Sequence, residues 1–206
     1  MNRYTELARK LVRVSPVRLG DDSNQAAFRI HYGIGMVAQA FEKLQTQVIQ
    51  TFGDVCGQED SGSQLRMMSI ISATSAFNIK AEMLENAARS FLADETKKTA
   101  VSKWIELCRR ASQRRNDIVH GAVVSFQEDG VDHITLVPPF HHPKFGGLMG
   151  MHGKEMAYQY NHQQVLEYAD TIERVIGNFI AMRMQLRGEP GWSEDEWVLD
   201  PRQLVF

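Results

Sequence analysis

Cysteine is scarce in this sequence: 206 residues carry two, Cys56 and Cys108. They form no CxxC pair and no zinc-type spacing, so a disulfide framework and a structural zinc site are not expected. Long apolar runs are missing as well. No stretch approaches the roughly 18 residues of a membrane helix. The first residues, Met1 to Glu6, are followed by no apolar core of a secretory signal, and the chain reads as cytoplasmic with no membrane segment. Strong charge is also absent, the formal net charge being -2. A protein that wraps nucleic acid with its whole surface is usually more basic. No internal repeat or low-complexity tract stands out. Gly33 and Gly35 lie within a helical stripe with no strand before them, so a phosphate-cradling loop is not expected, and close helix packing explains them better. His133, His141, His142 and His152 crowd one region without an HExxH or a carboxylate partner at ligand spacing. They read as loop histidines, with no metal and no cofactor implied.

What is present is an ordinary globular composition, 43% hydrophobic and 23% charged, long enough for one core without staples. Leu7, Leu11 and Val14 lie near helical spacing before Ser15-Pro16 interrupts. Gly20 to Asn24 is rich in capping residues and predicts the start of a long helix. Within it Ile30, Ile34, Val37, Phe41, Leu44 and Val48 follow at alternating steps of four and three, a one-sided apolar seam. Gly53 and Gly57 are expected to close it. Asp60-Ser61-Gly62-Ser63 predicts a second helix running to about Phe91, with the stripe Ile70, Thr74, Phe77, Ala81, Leu84, Ala88 and Phe91. Asn78 and Glu82 share a polar face beside that stripe. Asp94 is a candidate cap for a third helix, whose seam is Val101, Trp104, Cys108 and Ala111. Asn161 caps a fourth, with Val165, Ala169, Ile172, Ile176 and Phe179 inside, and Gly188 with Pro190 ends it.

Between the third and fourth helices the pattern changes. Ala122 to Phe126 and Val131 to Val137 flank Glu128-Asp129-Gly130 and predict a β-hairpin. A flexible loop over 146–153 and a third strand over Lys154 to Tyr160 are expected to follow. The tail from Trp192 to Phe206 is apolar enough to dock on the bundle or on a second subunit. The expected organisation is an N-terminal arm with a short helix (1–23), a helical bundle (24–121 and 161–187), a β-rich insertion (122–160) and a C-terminal tail (188–206).

Two features carry chemistry. From Asp94 to Arg115 seven basic residues face three acidic ones, a local charge of +4. Such a stretch is either a solvated helix face or a track for phosphates. It runs into Arg115-Asn116-Asp117-Ile118-Val119-His120-Gly121. An arginine followed directly by a polar residue, then histidine after four intervening positions, at the end of a long helix, resembles the hallmark motif of the HEPN superfamily. Long helices before the motif, strands after it and a capped helix later match as well, over roughly residues 24–187. The resemblance implies an all-α fold, a HEPN-like helical bundle of four to five helices with a small hairpin-containing insertion before the last helix.

It also implies a metal-independent endoribonuclease, of the toxin or defence kind that the family contains. In that chemistry the ribose 2′-OH attacks the adjacent phosphate. His120 would move the proton, Arg115 would hold the phosphate oxygens, Asn116 would orient one or the other, and Arg109, Arg110 and Arg114 would track the RNA backbone. A homodimer, RNA and a cognate antitoxin or other protein are the implied partners. Two alternatives stand beside it: a non-catalytic HEPN-like module that binds RNA, nucleotide or protein, and a dimeric helical scaffold. The motif's geometry makes one demand. On a continuous helix, residues five apart point about 140° away from each other. So either the chain turns near Ser112-Gln113 and opens a new helix whose N–H groups face the phosphate, or a second subunit completes the site.

Overall fold

The computed structural model describes residues 23–57, 60–128, 131–138 and 160–188. The short amino-terminal helix, the glycine-rich loop, the carboxy-terminal tail and all but Tyr160 of the third strand, as expected from the sequence, lie outside these. The chain is all-α, with a two-stranded antiparallel hairpin before its last helix. Five helices occur among the described residues: α1 Ser23–Cys56, α2 Ser61–Ser72, α3 Phe77–Phe91, α4 Glu95–Val119 and α5 His162–Leu186. The strands β1 Ala122–Glu128 and β2 Val131–Val137 stand between α4 and α5. No helix among the described residues is long and apolar enough to cross a membrane.

The helix starts follow local chemistry. Asp60 caps α2, accepting from the Ser63 amide at 2.7 Å and the Ser63 hydroxyl at 2.8 Å. The Ser63 amide stabilises the charged carboxylate and holds Asp60 below its ordinary range. Asp94 caps α4 through the Thr96 amide at 2.8 Å. Asn161 and Gln164 form a reciprocal capping box on α5, with the Gln164 amide donating to Asn161 Oδ1 at 2.8 Å and the Asn161 amide to Gln164 Oε1 at 3.0 Å. Gly188, at φ 70°, adopts the left-handed conformation that ends α5.

The chain divides into two compact units. One joins Gln39–Arg114 with Asp170–Phe206. In it Phe41 of α1 meets Phe77 of α3 at 5.0 Å between ring centroids, and Trp104 of α4 meets the edge of Phe179 of α5 at 5.9 Å. Leu44, Val48, Leu84, Ile105 and Ile172 are fully buried around them. Polar links tie the same helices at their margins. Lys43 pairs with Glu173 at 2.6 Å, Lys80 donates to Gln45 at 3.3 Å, and Arg109 pairs with Glu85 at 2.8 Å.

Asp54, its side chain 3% exposed, accepts from Arg183 Nε at 2.7 Å and from Arg187 Nη2 at 2.7 Å. Arg183 also donates to Gln47 and Gln50. This network lies between the last turns of α1 and α5.

Three expectations within this unit are corrected. The helix expected over 61–91 is two helices, interrupted at Ala73 to Ala76. The seam read through Ile70 and Thr74 is out of phase, since Ile71 is fully buried while Ile70 is 55% exposed. Hydroxyls weaken the backbone there: Ser69 bonds back to the Leu65 carbonyl and Ser72 to the Met68 carbonyl. The break lets Phe77 start a new helix with its ring against Phe41. At the other end Phe91 is exposed and Leu92, in extended conformation, turns inward. Gly53, expected to close the first helix, lies inside α1, where a Cβ would come 2.8 Å from Met68 of α2.

The other unit joins Met1–Ala38 with Arg115–Ala169. β1 and β2 pair from Ala122 opposite Val137 to Glu128 opposite Val131. Tyr160 extends the edge by a bridge to Leu136, with both backbone hydrogen bonds at 2.9 Å. The Thr135 hydroxyl adds a third bond to the same carbonyl at 2.9 Å. Ile30, Val37, Ile118, Leu136 and Val165 are buried. Gly33 allows α1 close to α5, because a Cβ there would stand 2.8 Å from Val165 Cγ1. Replacing it with alanine is therefore expected to cost about 1–3 kcal/mol by overpacking, read as a shift in a urea unfolding midpoint at constant slope. Gly35 is different: among the described residues nothing lies within 4 Å of its would-be Cβ, so close packing there does not explain it.

Candidate functional site

The motif occupies the last turn of α4 and the residue after it. No turn occurs at Ser112-Gln113, since α4 is continuous from Glu95 to Val119. The helix is carried through by buried residues on its inner side, where Cys108, Ala111 and Ile118 are each fully covered. The anion-binding helix start considered from the sequence is therefore replaced by its opposite. Arg115 to His120 sit at a helix carboxy-terminus, where carbonyls and not amides are left over. The His120 amide still reaches the Asn116 carbonyl at 3.1 Å, so His120 closes the final turn.

On this helix end Arg115 is half-buried, and Asn116 and His120 are exposed. Arg115 falls on the seam line between Ala111 and Ile118, where a bundle ordinarily places an apolar residue. Its Nη1 donates to Asn116 Oδ1 at 3.0 Å. Asn116 and His120, four apart, share one face. The structure thus joins Arg115 to Asn116 directly and brings His120 onto Asn116's side of the helix, leaving about 140° between Arg115 and His120.

Gly121 fixes the exit from this helix. A Cβ there would lie 2.7 Å from the Val137 carbonyl oxygen and 2.8 Å from that of Asp117. Room, not a left-handed backbone, is what glycine supplies here, and it lets β2 pass against the end of α4. Gly121→Ala is expected to destabilise by about 1–3 kcal/mol, which a thermal unfolding series would register.

The three arginines expected to track RNA stand in the other unit, and none presents a free charge on an open face. Arg109 pairs with Glu85 at 2.8 Å and Arg110 with Glu106 at 3.2 Å. Arg114 is buried, at 8% exposure. Its burial has a sequence signal: Leu107, Ala111, Arg114 and Ile118 follow at steps of four, three and four, a second buried line beside the seam.

Glu85 is held by two cations, Arg109 and Arg89 at 2.6 Å. Burial opposes its charge, yet the Arg109 hydrogen bond and both positive charges outweigh it and set the carboxyl below its ordinary range. A folded-state value below the unfolded one contributes stability above the ordinary glutamate range, lost as pH falls through the lowered value. Glu85→Gln should therefore flatten the acid limb of a stability-against-pH curve, as denaturant titrations from neutral pH into the acid range would show.

Asn78 and Glu82 are both exposed. None of the insertion histidines has a described side chain, and among the described residues no group of three potential metal ligands occurs. Cys56 and Cys108 are free, and burial pushes both thiols up, which disfavours a nucleophilic thiolate at either. The Asp54–Arg183–Arg187 network went unread in the sequence. Its signal was the i, i+4 arginine pair at the end of α5, Arg183 in its last turn and Arg187 just after it, and an aspartate near the end of α1's apolar face.

No protein-family model, curated protein or solved structure matches the chain.

Proposed function

We propose that the chain is a metal-independent endoribonuclease of HEPN type that works as a homodimer, each copy contributing the end of its α4. The observation that carries this reading is the Arg115–Asn116 hydrogen bond beside an exposed His120 on the same helix end. Transesterification needs a base to take the 2′-OH proton and an acid to protonate the 5′-oxygen that leaves. The 2′-oxygen–phosphorus bond forms, the 5′-oxygen–phosphorus bond breaks, and the products are a 2′,3′-cyclic phosphate and a 5′-hydroxyl. The motif of one chain holds a single imidazole. A second copy supplies the other and brings an Arg115 toward a His120 from outside their common helix. Arg115, fixed by Asn116, then meets the negative charge that grows on the non-bridging oxygens.

The test is incubation of single-stranded and transfer RNA in EDTA with wild type and His120→Ala. Cleavage that leaves cyclic phosphate ends and disappears in the variant supports the reading; equal cleavage by both proteins removes it.

A second reading is favoured by the state of Arg109, Arg110 and Arg114. With two of these cations engaged by carboxylates and one buried, the chain suits a non-catalytic HEPN-like module for RNA, nucleotide or protein, or a dimeric scaffold. Salt-sensitive RNA binding without cleavage would select the module. A cognate antitoxin or other protein partner is compatible with either reading.

A further inference from the structure

A cavity of about 210 Å³ opens between α3 and α4, lined by Glu85, Ala88 and Arg89 of the first helix and Glu95, Lys98, Thr99 and Ser102 of the second. Helical spacing explains the lining. The first three stand at i, i+3 and i+4, and the other four at i, i+3, i+4 and i+7, so each set shares one face. Ala88, 2% exposed, offers only a methyl group beside two long side chains, and the space stays open there.

The charges around this cavity do not cancel. Glu85 accepts from Arg89 at 2.6 Å and from Arg109 at 2.8 Å, so two guanidiniums share one carboxylate. Lys98 pairs with Glu95 at 2.7 Å. Three cations therefore stand against two carboxylates, an excess of one positive charge. The Lys98 pair is also easily exchanged. The Glu95 side chain is 82% exposed and gains little from the ammonium, which belongs to the more covered partner, at 25%. The Thr99 and Ser102 hydroxyls make no hydrogen bond among the described residues, whereas Thr46, Thr51, Ser69 and Ser72 each bond back to a carbonyl four residues earlier.

We propose that this cavity binds a small phosphate monoester, with Arg89 and Lys98 on the phosphoryl oxygens and the two hydroxyls completing their hydrogen bonds. Four separate donors suit a tetrahedral group with three terminal oxygens better than a planar carboxylate with two. The volume equals that of roughly seven water molecules, which admits the phosphoryl group and a short polar body. Neither carboxylate stands in the way. Glu85 is more than neutralised by its two guanidiniums, and Glu95 turns to solvent when Lys98 changes partner. The inference is independent of the ribonuclease reading, since it uses none of Arg115, Asn116 and His120.

The test titrates the full chain with inorganic phosphate and with glycerol phosphate at constant ionic strength, read by amide NMR shifts and by the thermal unfolding midpoint. Saturable binding with a dissociation constant of about 1 mM or below is expected, and the midpoint should rise with ligand. The Ala88, Thr99 and Ser102 amides should move along the same curve. Arg89→Gln and Lys98→Gln should each weaken binding about tenfold or more. Lys103→Gln removes an exposed cation of α4 that does not line the cavity, and it should leave the constant unchanged. Equal weakening by all three variants means diffuse attraction and overturns the proposal. So do binding unchanged in Arg89→Gln and Lys98→Gln, shifts confined to other residues, or no saturation below about 10 mM. Acetate bound as tightly as phosphate overturns the phosphoryl assignment.

Discussion

Replacing His120 with alanine is expected to lower RNA cleavage by about 10²–10⁴-fold, the usual contribution of a positioned acid–base group. Stability should change little, because His120 is exposed at the end of α4 and its backbone bond to Asn116 survives the substitution. The neighbours should respond in graded fashion. Arg115→Ala removes the charge that meets the phosphate and should cost about 10²–10³-fold. Arg115→Lys should rescue little, since the guanidinium is already oriented by Asn116 Oδ1 and an ammonium cannot hold that acceptor and a phosphate in one plane. Asn116→Ala frees the arginine without removing it, so its loss should be the smallest of the three. Rates across pH separate proton transfer from a positioning role. The His120 variant should change the shape of that dependence, and the Arg115 variants should keep the shape at a lower level. Uniform small losses across the series would mean that these side chains serve only the helix end.

The largest expected effect on stability lies elsewhere. Asp54→Ala should destabilise the fold by about 3–5 kcal/mol, because it strands a covered guanidinium and does not simply delete an attraction. Both carboxylate oxygens are in use, one by Arg183 and one by Arg187. Arg183 is 14% exposed and has nowhere to rehydrate, whereas Arg187, at 42%, reaches solvent. Arg187→Ala should accordingly cost well under half as much. Urea titrations of the two variants measure the difference. An Asp54→Ala protein within about 1 kcal/mol of wild type would show that Gln47 and Gln50 alone satisfy Arg183.

How much was legible in the sequence differs by element. The α1, α4 and α5 seams were readable because apolar residues recur at three and four with strong caps at Asp94 and Asn161. The hairpin was readable from β-branched runs around Asp-Gly. The break before Phe77 was not, because Ile70 and Ile71 are chemically equal and only packing chooses which turns inward. The motif's position at a helix end was visible, but its backbone was not. An Arg-rich helix can continue or turn at Ser112-Gln113 with the same composition, and burial of Ala111 and Ile118 on one face decides for continuation. Charge was the least reliable guide. Arg109, Arg110 and Arg114 read as one stripe in sequence, yet Glu85, Glu106 and a buried environment engage them separately, because Arg109 and Arg110, adjacent in sequence, point about 100° apart on the helix and Arg114 lies on the buried line of Ala111 and Ile118.

The central claim is that the site at the end of α4 is shared between two copies, with both His120 side chains needed. Subunit mixing tests it most directly. Wild type is combined with increasing His120→Ala protein under conditions that allow exchange, and RNA cleavage is followed in EDTA. At equal amounts a shared site retains activity only in wild-type pairs, so the rate per mixture should fall to about a quarter of that of the same total of wild type. A fall to about one half, in proportion to the wild-type fraction, would mean that each chain carries a complete site. That outcome, or an absence of cleavage by the wild type itself, would contradict the account.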